Sequence, residues 1–358
     1  MSRIFSIFEL QMNKMENKNL IIEVLKQLNE ASSSQLNQKI SHHFSLATLK
    51  RNLTVLVNEN KIIAIGKGKS TKYKINPYYE LFIPIEIDLY YQKEIDERII
   101  KSEFNWDLLL HILPKTTLFT TEENDLLNEM QSKYVKNIQG LTTNEYHKEL
   151  ERLAIDLSWK SSQIEGNTYT LLETEILLKD KLTAQGKTKE EATMLLNHKD
   201  AIDFLLENKN YVSPLSISKI EDIHSLLIKE LEVDQNIRKR KVGISGTNYQ
   251  PLDNEFQIKE ALETVCKIVN NCNSVFEKSL LILLLLSYIQ PFADGNKRTA
   301  RIVSNAVLMD NGYCPLSFRT VDTIDYKKAM LLFYEQNNIN AFKNIFIQQF
   351  EFAIKTYF

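Results

Sequence analysis

The chain is poor in the residues that interrupt helices. Nine glycines and seven prolines in 358 residues exclude collagen-like repeats and Gly/Pro-rich disorder. What remains is rich in Leu, Ile, Lys, Glu and Asn, and predicts a mostly α protein. Cysteine is equally scarce: Cys266, Cys272 and Cys314 fit neither a disulfide framework nor a metal-ligand spacing, so a reducing, cytoplasmic setting is expected. No apolar run approaches the ~20 residues needed to cross a bilayer. The longest, Leu280–Leu286, predicts a buried helix. Residues 1–15 lack a basic flank followed by an apolar run and a cleavage site, which argues against a secretory signal. Hydrophobic content of 43% is ordinary for a globular protein, and the length suffices for two domains.

Net charge is −2, but it is unevenly spread: residues 1–78 hold 12 Lys or Arg against 5 Asp or Glu, and the remainder is acidic. Within the basic part, apolar residues at 20, 21, 24, 25 and 28 predict an amphipathic helix. Ala31–Ser34 predicts a turn and N-cap for a short helix through Ile40. The stripe Leu46, Leu49, Leu53 and Leu56 predicts a third helix from Ser45 to Asn58, with Thr48, Lys50, Arg51 and Asn52 largely off it. Strands are expected at Lys61–Ile65 and Thr71–Ile75, joined by the basic loop Gly66–Ser70. This order resembles a winged helix-turn-helix, in which the third helix enters the major groove and the hairpin loop lies on phosphates. By that resemblance Thr48, Lys50, Arg51 and Asn52 would meet DNA, with Lys67, Lys69 and Lys72 on its backbone. Use of the same surface for protein contacts stays open. Asn76-Pro77 closes this module (1–78). Residues 79–121, with Tyr90-Tyr91 and Phe104-Asn-Trp106, are expected to form a connector packed on the body, and 122–358 a largely helical domain.

The densest chemistry lies in Gln290-Pro-Phe-Ala-Asp-Gly-Asn-Lys-Arg-Thr-Ala-Arg301, which places an acid, a Gly-Asn turn and three cations in one short run. Asp294 can hold a divalent cation, and Gly295 and Asn296 can turn backbone N–H groups toward an anion. Arg298 and Arg301, three apart at a helix start, share a face beside the positive end of its dipole. This is the chemistry of a polyphosphate site. The run resembles the signature of the Fic (Fido) family, whose members mostly transfer AMP from ATP to a protein hydroxyl. That signature begins with His, where this chain has Gln290.

The resemblance extends to two further segments. Ser161, Glu165 and Gly166, at the end of a helical run (150–167), resemble the family's inhibitory motif, in which a carboxylate occupies the arginine meant for the γ-phosphate. Residues 238–251 resemble its flap, a small β-hairpin that aligns a target segment by strand addition, with Gly246, Thr247, Tyr249 and Pro251 at matching positions. The implied fold is an all-helical core with that flap. The implied ligand is ATP with Mg²⁺ on Asp294, held by Gly295, Asn296, Lys297, Arg298 and Arg301, with Phe292 anchoring the loop.

The family's His accepts the proton of the attacking hydroxyl; Gln290 can bond a hydroxyl but cannot take its proton, a loss of roughly 10²–10⁴ in rate. His224 lies in a helical stripe and is expected in the core. Four readings follow: a nucleotide sensor that sets DNA affinity, a slow or autoinhibited AMP transferase acting on a protein target, a Glu165-dependent hydrolase that removes AMP, and a non-catalytic interaction module. Intact Asp294, Asn296, Arg298 and Arg301 count against the last, and with the base gone the expectation is a nucleotide-binding regulator with weak or absent AMP transfer. A homodimer would suit palindromic DNA.

Overall fold

In the computed structural model, residues 17–358 are described; the segment weighed above as a signal lies outside them. The chain divides into two compact units, the first ending at Pro84 and the second starting at Ile85.

The first unit runs α1 (17–28), β1 (Glu30–Ser32), α2 (Ser33–Ile40), α3 (Leu46–Asn58), β2 (Ile62–Ile65), β3 (Lys72–Ile75) and a short α4 (Pro77–Glu80). Ile21, Leu25, Leu36, Leu49, Leu53 and Leu56 meet in one dry core. Ile83 packs against the same core, which carries this unit past residue 78. The strands form an antiparallel sheet in the order β1-β3-β2, with Ala31 opposite Tyr73 and Ile63 opposite Lys74. β1 was expected to be part of a turn. Its last residue, Ser32, does cap α2 by accepting the Gln35 N–H, but the preceding backbone is recruited by β3, a pairing that three residues of local sequence do not encode.

The second unit is helical: α5 (Ile87–Tyr91), α6 (Thr121–Gln139), α7 (Thr143–Ile164), α8 (Leu171–Asp180), α9 (Lys189–Glu207), α10 (Ile217–Leu227), α11 (Glu255–Asn271), α12 (Val275–Ile289), α13 (Asn296–Asp310), α14 (Thr323–Gln336) and α15 (Asn340–Tyr357). Four helices start with the same device. Thr120, Thr142, Thr170 and Thr188 cap α6, α7, α8 and α9, and a Glu three residues on reaches back to the cap N–H, satisfying two otherwise orphaned donors at each start. α12 is buried along nearly its whole length, as its Leu run predicts, and packs on α13. These two buried helices hold the Gln290–Gly295 loop between them. Among the described residues, no helix is long and apolar enough to cross a membrane.

Candidate functional site

The loop is built to hold its shape. Gln290 ends α12 in the left-handed region (φ 51°, ψ 61°). Its side-chain Nε2 donates to Ser287 O at 2.6 Å and its Oε1 accepts from Asn296 Nδ2 at 3.0 Å. Asn296 also accepts from Phe292 N (2.8 Å) and donates to Phe292 O (2.9 Å). The buried Asn296 side chain is consumed in stapling the loop, and the part expected of this residue, its backbone N–H, lies at the start of α13. Phe292 stacks on His224 at 3.6 Å, and His224 Nε2 bonds Asp294 O at 3.0 Å, so this core histidine is the bed on which the loop rests. Gly295 has φ +80°, the left-handed region that favours glycine, and a Cβ there would meet His224 and Ile228 at 3.4 Å, an ordinary contact distance. α13 then starts without a side-chain cap, leaving its first N–H groups open to an anion.

Around that helix start the charges are paired in a defined way. Arg298 is buried; Nη2 donates to Asp294 Oδ2 at 2.9 Å, while Nε and Nη1 have no partner. Asp294 is 66% exposed. Arg301, fully buried, donates from Nε to Ser161 Oγ (2.8 Å) and from Nη2 to Ser161 O (3.0 Å) and Glu165 Oε1 (2.8 Å). Lys297 Nζ reaches Glu165 Oε2 at 3.2 Å. Glu165 caps α7, and Gly166 leaves it at φ +103°, a conformation that lets the chain turn away and leave the carboxylate over Arg301. Burial alone would raise the Glu165 carboxyl. The attraction of Arg301 and Lys297 outweighs burial and holds it at about 2.

A cleft of about 360 Å³ opens over these groups, within the usual size of small-molecule sites. Glu165 and residues 293–298 form its polar floor, Val242–Ser245 one wall, and Tyr326, Met330 and Tyr334 of α14 another. The α14 residues escaped sequence reading, because a 326, 330, 334 spacing reads as an ordinary core stripe.

The 238–251 segment turns at Ser245-Gly246, but its two arms form no strand ladder, unlike the hairpin expected. Its second arm is tied to the body instead. Arg98 Nη2 donates to Gly246 O at 3.0 Å while Nη1 bonds both oxygens of the buried Glu335, and Gln250 N donates to Ser102 O at 2.8 Å. Tyr249 and Pro251 are buried, and Tyr249 stacks on Tyr288 at 4.6 Å, so both anchor the segment rather than face outward. Thr247 is half-buried beside them. Among the described residues, no backbone–backbone hydrogen bond holds Lys241–Ser245. The arm after Gly246 is fixed and the first arm is anchored at Arg238, whose N–H and Nε bond Pro291 O and Gln290 O, which leaves Val242–Ser245 as open backbone at the cleft.

In the first unit, Lys50 and Arg51 are exposed on α3, sharing a face with Ala47 and Thr54. Thr48 is half-buried and turned to the cap, its Oγ1 3.1 Å from Ser45 Oγ. Asn52, expected on the outer face, is 5% exposed with Nδ2 unpartnered; it lies on the inner stripe with Leu49, Leu53 and Leu56, away from the exposed face of Lys50 and Arg51. Lys67 is exposed, Lys72 is paired with Glu30 at 2.6 Å, and the Lys69 side chain lies outside the described residues.

Residues 214–308 match the model of the Fic/DOC family. The chain is 27% identical over 218 residues to "Protein adenylyltransferase Fic" of Nematostella vectensis, covering 60% of this chain and 51% of that protein. It is 25% identical over 174 residues to "Protein adenylyltransferase fic-1" of Caenorhabditis elegans, covering 47% and 34%. The chain thus spans about half or less of these relatives. In fold it is similar to solved structures of Fic-1 from C. elegans (TM-score 0.58, 19% identity, 66% of this chain and 72% of that one) and of a Fic domain containing signaling protein from Bacteroides thetaiotaomicron (0.54, 18%, 64% and 94%). The sequence match over residues 214–308 and the shared helical architecture agree: this part of the chain is similar to Fic/DOC domains in sequence and in fold.

Proposed function

We propose that this protein binds ATP in the cleft over α13, is held closed by its own Glu165, lacks the base for rapid AMP transfer, and couples the site to a DNA-binding N-terminal unit. The observation that carries the reading is Arg298: a buried guanidinium lining the cleft with two unpartnered donors, at a helix start with no cap. Such a group needs an anion with several oxygens. Arg301 lies one turn on, and its outward end is already taken by a carboxylate from α7, as expected of a built-in competitor for a terminal phosphate. Tyr326, Met330 and Tyr334 supply the flat apolar wall that a nucleobase requires.

A magnesium ion fits this donor set. Mg²⁺ keeps most of its waters and takes one or two carboxylates plus phosphate oxygens, and Asp294 is an exposed carboxylate on the cleft floor. When bound, the ion would neutralise phosphate charge.

Chemistry at the site is limited by residue 290. A hydroxyl attacking phosphorus must lose its proton, and the Gln290 amide is bonded at both ends and has no basic site. What the chain retains is positioning and electrostatic stabilisation. The open backbone of Lys241–Ser245 suits an added strand from a target protein. The first unit has the helix and strand order of a winged helix, and its exposed cations, Lys50 and Arg51 on α3 and Lys67 in the β2–β3 loop, occupy the two elements that dock on DNA in that fold. Titration calorimetry with Mg²⁺–ATP tests the proposal. Glu165→Gly is expected to bind at least about tenfold tighter than the native chain; no binding by either protein would refute a nucleotide site.

A further inference from the structure

Resting on that nucleotide-site reading, we infer that Ser161, braced by His198, is a positioning residue that aims Arg301 at a phosphate, and that Glu165 alone does the blocking. Ser161 and Glu165 lie on the same turn of α7 and both bond Arg301, so they look like one inhibitory unit. Their contacts divide differently. Ser161 takes the inner edge of the guanidinium, with its Oγ on Nε at 2.8 Å and its carbonyl on Nη2 at 3.0 Å. Glu165 takes the remaining hydrogen of Nη2 at 2.8 Å, and it lines the cleft where Arg301 does not. Removing Glu165 would free one Nη2 hydrogen beside Nη1, which already has no partner, and so complete the fork that grips phosphate in two places. The Ser161 edge would stay bonded and keep that fork oriented. A neutral hydroxyl and a carbonyl add no charge to compete with a phosphate.

The proton inventory extends the argument to α9. An arginine only donates, so the Ser161 hydroxyl accepts from Arg301 Nε and must place its own proton elsewhere. His198 Nε2 lies 2.6 Å away. With the Ser161 proton directed to it, the imidazole is assigned as the acceptor, neutral, with its proton on Nδ1, a buried atom that has no partner among the described residues. It is fully buried, and burial together with the charges of Arg301 and Arg298 disfavours its cationic form. A chain of bonds thus runs from α9 through α7 to α13. The ring of Tyr326, 5.4 Å from the guanidinium carbon, flanks the same group.

The two assignments differ in the sign of a mutational effect. In the Glu165→Gly protein, Ser161→Ala is expected to weaken Mg²⁺–ATP binding about tenfold, the size of one hydrogen bond to a charged group, and Ser161→Thr to restore it. His198→Leu should weaken binding similarly, and His198→Gln, whose carbonyl can reach the place of Nε2, should recover it. Ser161→Ala and His198→Leu combined should lose no more than the worse single change, since they act along one path. Tighter ATP binding by Ser161→Ala in the native chain, or unchanged binding in Glu165→Gly, would overturn the inference. Imidazole ¹⁵N spectra of the native chain at neutral pH provide a test independent of ATP: His198 protonated at Nδ1 is expected, and protonation at Nε2 would overturn it. If Glu165→Gly fails to bind Mg²⁺–ATP, the nucleotide reading falls, and the spectra still decide the Ser161–His198 bond.

Discussion

Replacing Glu165 by Gln keeps the shape of the α7 cap and removes one charge, so it isolates the competition at Arg301. In the native protein the carboxyl is held at about 2 against an ordinary 4.5, because Arg301 and Lys297 outweigh the cost of burial. That difference is worth roughly 3 kcal/mol, an upper figure because the unfolded chain and the substituted amide each recover part of it. The sign follows from linkage. A carboxyl depressed by folding stabilises the fold fully above pH 4.5, and the contribution disappears as pH falls toward 2. Chemical denaturation at pH 7 should therefore find Glu165→Gln less stable by about 2 kcal/mol, with the gap closing between pH 4.5 and 2. Mg²⁺–ATP should reverse the order. At about 100 times its dissociation constant a ligand adds ~2.7 kcal/mol, and this gain should appear in Glu165→Gln at concentrations that leave the native chain nearly unchanged. Equal stability of the two proteins without nucleotide would mean that the Glu165–Arg301 pair does not form as described. Equal shifts with nucleotide would mean that Glu165 does not compete for the phosphate site.

Lys50→Glu with Arg51→Glu should abolish DNA binding measured by fluorescence anisotropy, and the native salt dependence should carry roughly one unit of slope for each phosphate these cations reach. Persistence of binding would remove α3 as the reader. Asn52→Leu should leave that binding intact and raise stability by about 1 kcal/mol, since it replaces a buried unpartnered amide; a loss of DNA affinity would contradict the inward placement of residue 52. Arg98→Ala should cost about 3–5 kcal/mol by leaving Glu335 buried and unpaired. It should also speed tryptic cleavage at Lys239–Lys241 by freeing Gly246, and an unchanged rate would show that Arg98 does not hold the flap.

The helical body and the loop geometry were legible in the sequence because their determinants are local. The Leu280–Leu286 run could only be a buried helix, and Asp294, Gly295, Arg298 and Arg301 fall at one helix start by spacing alone. Where a residue's role depends on partners far along the chain, the sequence was silent or misleading. Asn296 reads as a turn residue that offers its backbone N–H to an anion, and nothing local announces that its side-chain amide staples Gln290 and Phe292. Asn52 reads as polar surface and lies inward. Tyr326, Met330 and Tyr334 have the spacing of a core stripe, and only the fold turns that stripe toward the cleft. Strand β1 exists because β3 recruits it. The flap shows the converse, since its sequence suits a hairpin but its backbone partners are Arg98 and Ser102.

The proposed phosphate site is intact, held closed, and without a base. Incorporation of labelled AMP from Mg²⁺–ATP, compared across the native chain, Glu165→Gly, Gln290→His and the double variant, tests all three properties at once. Label should appear only where Gln290→His is present, and most strongly in the double variant, where the base is restored and Arg301 is free. Label on Glu165→Gly with Gln290 in place would contradict the account and make this protein an autoinhibited AMP transferase that needs no histidine.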